Sequence, residues 1–228
     1  MNNGTSSDSD GEGGLTWIQH FCMRPGNEFL VEVDESFIDD PFNMYGLDKL
    51  VDNYSAALDI ITDHELEDDP SPALLKTLRR CAVRLYGLIH ARFILTQNGM
   101  KKMRQKINEQ TFGCCQRLKC NGQNLLPVGI YDSFGEERVK VFCPKCKDLY
   151  HPMEPNESTI DGAFFGTSFP HLYVLQYPDV IEESSESEDG SSSSDEFVPT
   201  VFGFKIGKKV KNPSSKPFKF KRQTFLCF

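Results

Sequence analysis

The apolar positions keep two different rhythms along the chain, and the change between them falls near residue 112. Upstream, in "SPALLKTLRRCAVRLYGLIHARFILTQNG", Leu74, Leu78, Cys81, Leu85, Leu88 and Ile89 recur at helical spacing. Ser71 stands as N-cap, Pro72 at the first helical position and Gly99 as C-terminal stop, so this stretch predicts the longest helix. Shorter helical patterns run from Trp17 to Cys22, Leu50 to Ile61 and Met100 to Ile107. Beyond Phe112 the apolar runs shorten to pieces such as "RVKVFC" and "LYVLQY", separated by Gly, Pro and Asn, and these predict small strands.

Charge divides the chain further. Asp179 to Glu196 holds eight acidic and seven serine residues with no Lys or Arg, whereas Lys205 to Arg222 holds eight basic residues and no acid. Neither tract can bury much by itself. The ordered part is expected from Leu15 to about Asp179, with an apolar island, "FVPTVFGFKI", between the charged tracts. At 39% hydrophobic and 11% aromatic, the 228 residues suffice for a core. A net charge of −8 argues against a general nucleic-acid coat. No apolar run approaches a membrane span, and the polar, acidic start "MNNGTSSDSDGEGGL" does not read as a signal peptide. An intracellular, reducing setting is therefore expected, where clustered cysteines serve metals rather than disulfides.

Five of the eight cysteines lie between Phe112 and Cys146. Cys143 and Cys146 form the knuckle "CPKC", and Cys115 with Cys120 makes a C-x4-C pair 22 residues upstream, close to the spacing of structural zinc sites. Cys114 is the alternative to Cys115 and would lengthen the first loop by one residue. Four thiolates fill a tetrahedral shell and leave no place for a reacting water, so one structural, non-catalytic zinc per chain is expected. The fold class is α+β: an N-terminal helical domain, then a small zinc-ribbon-like domain with short antiparallel strands, then an extended C-terminal segment. Residues 1–14 and 179–196 read as acidic, serine-bearing tails or linkers, 15–111 as the helical domain, 112–178 as the four-cysteine domain, 197–207 as a strand and 208–228 as a basic tail.

With these residues placed, the chain resembles the regulatory (beta) subunit family of casein kinase 2, a serine/threonine protein kinase. The resemblance rests on Cys115, Cys120, Leu126, Pro127, Gly129, Val139, Lys140, Cys143, Pro144 and Cys146 in register, with Gln116 where the family usually has proline. It extends through "GNEFLVEVDESFIDDPFN", "LYGLIHARFILT", "DGAFFGTSFPH" and "FVPTVFGFKI", covering about 15 to 207. It implies a non-catalytic regulator of the kinase's stability, activity and substrate choice. It also implies a homodimer meeting near Leu118, Leu149 and Tyr150, and a heterotetramer with catalytic alpha subunits. Docking would fall to Phe202, Phe204 and Ile206 on one face of an extended strand, and the location would be nucleus and cytoplasm, without membrane attachment. The glycine-rich loop, the catalytic-loop His-Arg-Asp and the Asp-Phe-Gly of a kinase are missing. Two features depart from the family: the acidic loop with Asp63, Glu65, Glu67, Asp68 and Asp69 is shortened, and the long acidic tract precedes "FVP". Ser7, Ser9, Ser185, Ser192 and Ser193 each have an acid three residues on, as this acidophilic kinase family favours in its protein substrates.

Simpler readings apply to other residues. His90 reads as a satisfied helix-packing histidine, the Phe pair of "GAFFG" as core or turn scaffold, and His151 as no ligand while a thiolate is better placed. A zinc-ribbon nucleic-acid-binding or transcription-associated adaptor is the alternative function. It needs basic and aromatic residues near the metal, and here Glu136, Glu137 and Asp148 offset Lys140, Lys145 and Lys147.

Overall fold

The computed structural model describes residues 14–66, 69–153 and 159–181 in full and the backbone of 200–201 and 204–205. The chain divides into two compact units, 1–184 and 185–228. In the first unit the helices are α1 (Trp17–Cys22), α2 (Glu35–Ile38), α3 (Pro41–Met44), α4 (Tyr54–Ile61), α5 (Pro72–Phe93), α6 (Gln97–Asn108) and α7 (Phe169–Gln176). Its strands β1 (Leu126–Val128), β2 (Lys140–Cys143) and β3 (Asp148–Tyr150) form one antiparallel sheet with β2 in the middle. Leu126 pairs with Phe142, and Val141 with Tyr150.

Helix α5 starts where Ser71 and Pro72 predict, the Ser71 side chain accepting from the Leu74 N–H. It packs on α4 and on the turn Gly162–Phe164, and its buried face runs Leu78, Ala82, Leu85, Tyr86, Ile89 and Phe93. The predicted end at Gly99 is corrected. The helix stops at Phe93, Thr96 caps a new helix, and Gly99 lies in the first turn of α6. Glycine is needed there because a Cβ would stand 2.1 Å from the Phe93 carbonyl oxygen.

Tyr86 and His90, one turn apart on α5, solve a problem of backbone accounting. Phe29, Leu30, Val31 and Val33 are buried in a segment that pairs with no strand, so its polar groups need partners from elsewhere. Tyr86 Oη donates to the Val31 carbonyl at 2.8 Å and accepts from Val33 N–H, while His90 Nε2 accepts from Val31 N–H at 3.1 Å. His90 Nδ1 donates to the Phe164 carbonyl at 2.7 Å, which ties α5 to the "GAFFG" turn. Burial holds the His90 pKa down at about 4, against the opposing pull of the Phe164 carbonyl, so the ring is neutral. Lys102 and Lys106 of α6 complete the set through the Glu32 and Glu28 carbonyls. Phe164 and Phe165 are core, as read from the sequence.

"LYVLQY" is helical rather than extended. Pro170 opens α7, and Phe169 and Tyr173, four residues apart, are the buried pair that fixes the period. In the second unit, β4 (Thr200–Val201) and β5 (Phe204–Lys205) pair antiparallel, Val201 opposite Phe204. The segment expected to be one extended strand is thus a hairpin. Among the described residues, no helix is long and apolar enough to cross a membrane.

Candidate metal centre

Two tight loops deliver the cysteines. The first leaves Cys115, whose N–H donates to the Gln123 carbonyl, and makes a 3-10 turn over Leu118–Cys120 that Asn121 ends in the left-handed region. The second is the knuckle after β2. Lys147 takes a positive φ of 58° and donates its N–H to the Cys143 carbonyl. The N–H groups of Lys145 and Cys146 are directed at Cys143 Sγ.

The result is a cluster of Cys115, Cys120, Cys143 and Cys146 whose sulfurs all lie within 4.8 Å of one another. Cys115 and Cys146 are separated by 3.9 Å, and so are Cys120 and Cys143. A tetrahedral thiolate shell with metal–sulfur bonds near 2.3 Å requires about 3.8 Å between sulfurs, so the four fit a single ion. Cys114 lies outside the cluster, its backbone bridging to Asn124, and the grouped sulfur is that of Cys115. His151 also stays outside; its Nδ1 faces Lys140 Nζ.

The protons must leave when a cation enters. Burial pushes the Cys143 thiol up to about 12, so it does not ionise readily by itself. At Cys146 burial also pushes upward but is outweighed by hydrogen bonds, first that from the Tyr150 hydroxyl at 3.3 Å, and the pKa is about 7. A divalent ion supplies the charge that lets the thiolates share one small volume. With one ion held by Cys115, Cys120, Cys143 and Cys146, protein sulfur would fill all four tetrahedral positions and leave none for a reacting molecule.

The other predicted site residues are scattered. Leu118 is 96% exposed and Leu149 46%, and both lie beside the cluster as uncovered apolar surface. Tyr150 is half-buried, turned inward to Cys146 and Cys115, with Arg117 over its ring and paired to Asp148. Asp63 is occupied structurally: it accepts from the Trp17 N–H at 2.8 Å and anchors the start of α1. Glu65 and Asp69 are exposed, whereas Glu67 and Asp68 lie outside the described residues. Ser7, Ser9, Ser185, Ser192 and Ser193 lie outside them too, as do Phe202 and Ile206; of Phe204 only the backbone, in β5, is described. Tyr86 was not singled out from the sequence. Its spacing of four from His90 on an apolar face is the signal that marks a buried polar pair.

The helical body thus carries a cluster of four cysteines able to hold one metal ion. The sequence profile of the casein kinase II regulatory subunit family matches residues 16–205. Casein kinase II subunit beta of Dictyostelium discoideum is 42% identical over 204 residues, 90% of this chain and 73% of that one. Subunit beta' of Drosophila melanogaster is 44% identical over 194 residues, covering 84% of each, and subunit beta of Schizosaccharomyces pombe is 42% identical over 201 residues, 88% of this chain and 83% of that one. The chain belongs to the casein kinase II regulatory subunit family. It is a regulatory, non-catalytic subunit of that kinase, and the nucleic-acid adaptor reading finds no support in these relatives.

Proposed function

We propose that the chain holds one structural zinc per copy through Cys115, Cys120, Cys143 and Cys146. It dimerises on the surface around that ion and carries catalytic casein kinase II subunits on the C-terminal hairpin. The observation that carries this reading is the closed sulfur cluster flanked by bare leucines. An ion fixes the two loops rigidly, and Leu118 and Leu149 stand exposed beside them, where a second copy would cover them. The domain division follows, with 15–111 as helical body and 112–178 as assembly module. Aromatic anchors at Phe202 and Phe204, with Ile206, are the type of residue that dominates such docking contacts. The tracts carrying Ser7, Ser9, Ser185, Ser192 and Ser193 would be phosphorylated by the bound kinase, in the nucleus and the cytoplasm. Glu65 and Asp69, exposed on the acidic loop, remain available to basic effectors.

Co-expression with a catalytic subunit tests the whole reading. A stoichiometric two-plus-two complex by native mass spectrometry, with one zinc per regulatory chain, is the expected result. Phe204→Ala should weaken catalytic-subunit binding by about 2 kcal/mol or more while leaving the dimer intact. A monomeric, metal-free regulatory chain that binds the kinase normally would overturn it.

A further inference from the structure

We propose that a basic groove along the first half of α5 is a docking site for an acidic, serine-phosphorylated segment of a partner protein. The groove encloses about 930 Å³, and Arg24, Lys76, Arg79, Arg80 and Arg84 line it with one acid, Asp52. Five cations in one depression run against a chain of net charge −8. Lys76, Arg80 and Arg84 follow one another at intervals of four residues, so they share one face and are spaced by about 6 Å along the axis. Like charges at that interval destabilise a helix unless something anionic lies against them. Among the described residues Lys76, Arg79, Arg80 and Arg84 make no ion pair, whereas Lys102, Arg104, Arg117 and Lys140 each have a carboxylate.

Arg84 supplies an independent observation. Its Nε is buried and has no hydrogen-bond partner, and its guanidinium carbon lies over the Phe134 ring, 5.1 Å from the centroid, with that ring stacked on Phe164. The ring contact holds the guanidinium at the groove, and a guanidinium is the group that receives a phosphate or carboxylate through two parallel bonds. An extended peptide advances about 6.7 Å per two residues, so alternating phosphoserine and acidic side chains meet Lys76, Arg80 and Arg84 nearly in register. A nucleic-acid strand is disfavoured. The cations span only about two turns of helix, the one lining aromatic ring is already engaged by Arg84, and the acidic chain around them repels a long polyanion. None of the groove residues belongs to the cysteine cluster, and the proposal does not depend on how the kinase is held.

The test uses the full chain and a short fluorescent peptide in which phosphoserine alternates with other residues, titrated by polarisation. Arg80→Glu, an exposed change that leaves α5 intact by circular dichroism, should weaken binding by about tenfold or more. Arg84→Lys, which keeps the charge and loses the fork, should weaken the phosphopeptide more than its glutamate counterpart. Lys101→Glu, an equal change of net charge at an exposed position of α6, should leave affinity within about twofold. The proposal falls if Arg80→Glu and Lys101→Glu act alike, or if neither groove variant alters binding. It falls equally if a single-stranded oligonucleotide of matched charge binds more tightly and is lost on the same groove variants.

Discussion

Around α5 the chain is held by side chains that fill one another's space and satisfy one another's backbone. From Phe112 to Tyr150, three strands of three or four residues converge on four sulfurs, and β3 keeps little of itself out of water. In the first region Tyr86 and His90 have fixed partners among protein groups. In the second the four sulfurs face one another, and on the proposed reading they need a cation to be complete. Removing any one core contact should therefore weaken the helical region by degrees, whereas removing one sulfur should collapse the other region.

The largest effect is expected for Cys143→Ser. Structural zinc contributes roughly 10–16 kcal/mol in small modules, and three short strands cannot replace it. We expect less than one zinc per chain and a monomeric or aggregated protein, read by metal analysis and light scattering. Helical circular dichroism should persist in part, because α5 and α6 owe nothing directly to the metal. A well-folded, metal-free dimer would erase the contrast between the two regions.

Gly87→Ala comes next and acts on the helical region alone. On an exposed helix this change gains about 1 kcal/mol. Here the new Cβ would stand 2.0 Å from the Phe164 ring, which is buried and cannot swing clear. Overpacking of that kind costs about 1–3 kcal/mol, so the net sign should be destabilising, with the thermal midpoint lowered by several degrees. A raised midpoint would show that the α5 contact with the turn is loose.

The third prediction concerns pH. His90 is neutral in the fold, with a pKa of about 4, whereas in the unfolded chain it titrates near 6.5. Between those values the unfolded state binds the extra proton, so stability is full above pH 6.5 and declines as the pH falls toward 4, by about 3 kcal/mol in total. The single tryptophan, Trp17, packs on Phe21 and against Tyr86, so its emission follows the helical region separately from any loss of metal. Urea midpoints by Trp17 emission should drop from pH 7 to pH 5 in the wild type and less in His90→Gln. Equal slopes would remove His90 from the account.

The two regions were also unequally legible in the sequence. The cysteine spacing and the "CPKC" knuckle state their chemistry outright, and only the choice between Cys114 and Cys115 awaited geometry. For α5, Ser71 and Pro72 mark the start without ambiguity, but Gly99 looks the same whether it ends a helix or lets the next one pass close to Phe93. "LYVLQY" misleads because its β-branched and aromatic content fits a strand, while the deciding contact, Phe169 with Tyr173 against the core, begins outside the hexapeptide. His90 could be read as satisfied. That its partners are Val31 and Phe164, 59 and 74 residues away, is a matter of tertiary packing that no local pattern carries.

The smallest effect tests how finely the first cysteine loop is set. Gln116 stands where the family usually has proline. Its side chain is exposed and donates to the Cys114 carbonyl at 3.2 Å, and among the described residues its own N–H has no acceptor. Proline would also bias Cys115 toward an extended conformation, next to the backbone bridge from Cys114 to Asn124 and the bond from Cys115 N–H to the Gln123 carbonyl. Gln116→Pro should therefore be neutral or stabilising by about 0.4–1 kcal/mol, through lost freedom in the unfolded loop, offset in part by the weak exposed hydrogen bond. The same gain should appear as slower zinc release to a competing chelator, since the loop is organised before the ion arrives. A loss of more than about 1 kcal/mol would mean that residue 116 holds a backbone angle proline cannot adopt, and that this chain's knuckle has diverged in shape as well as in sequence.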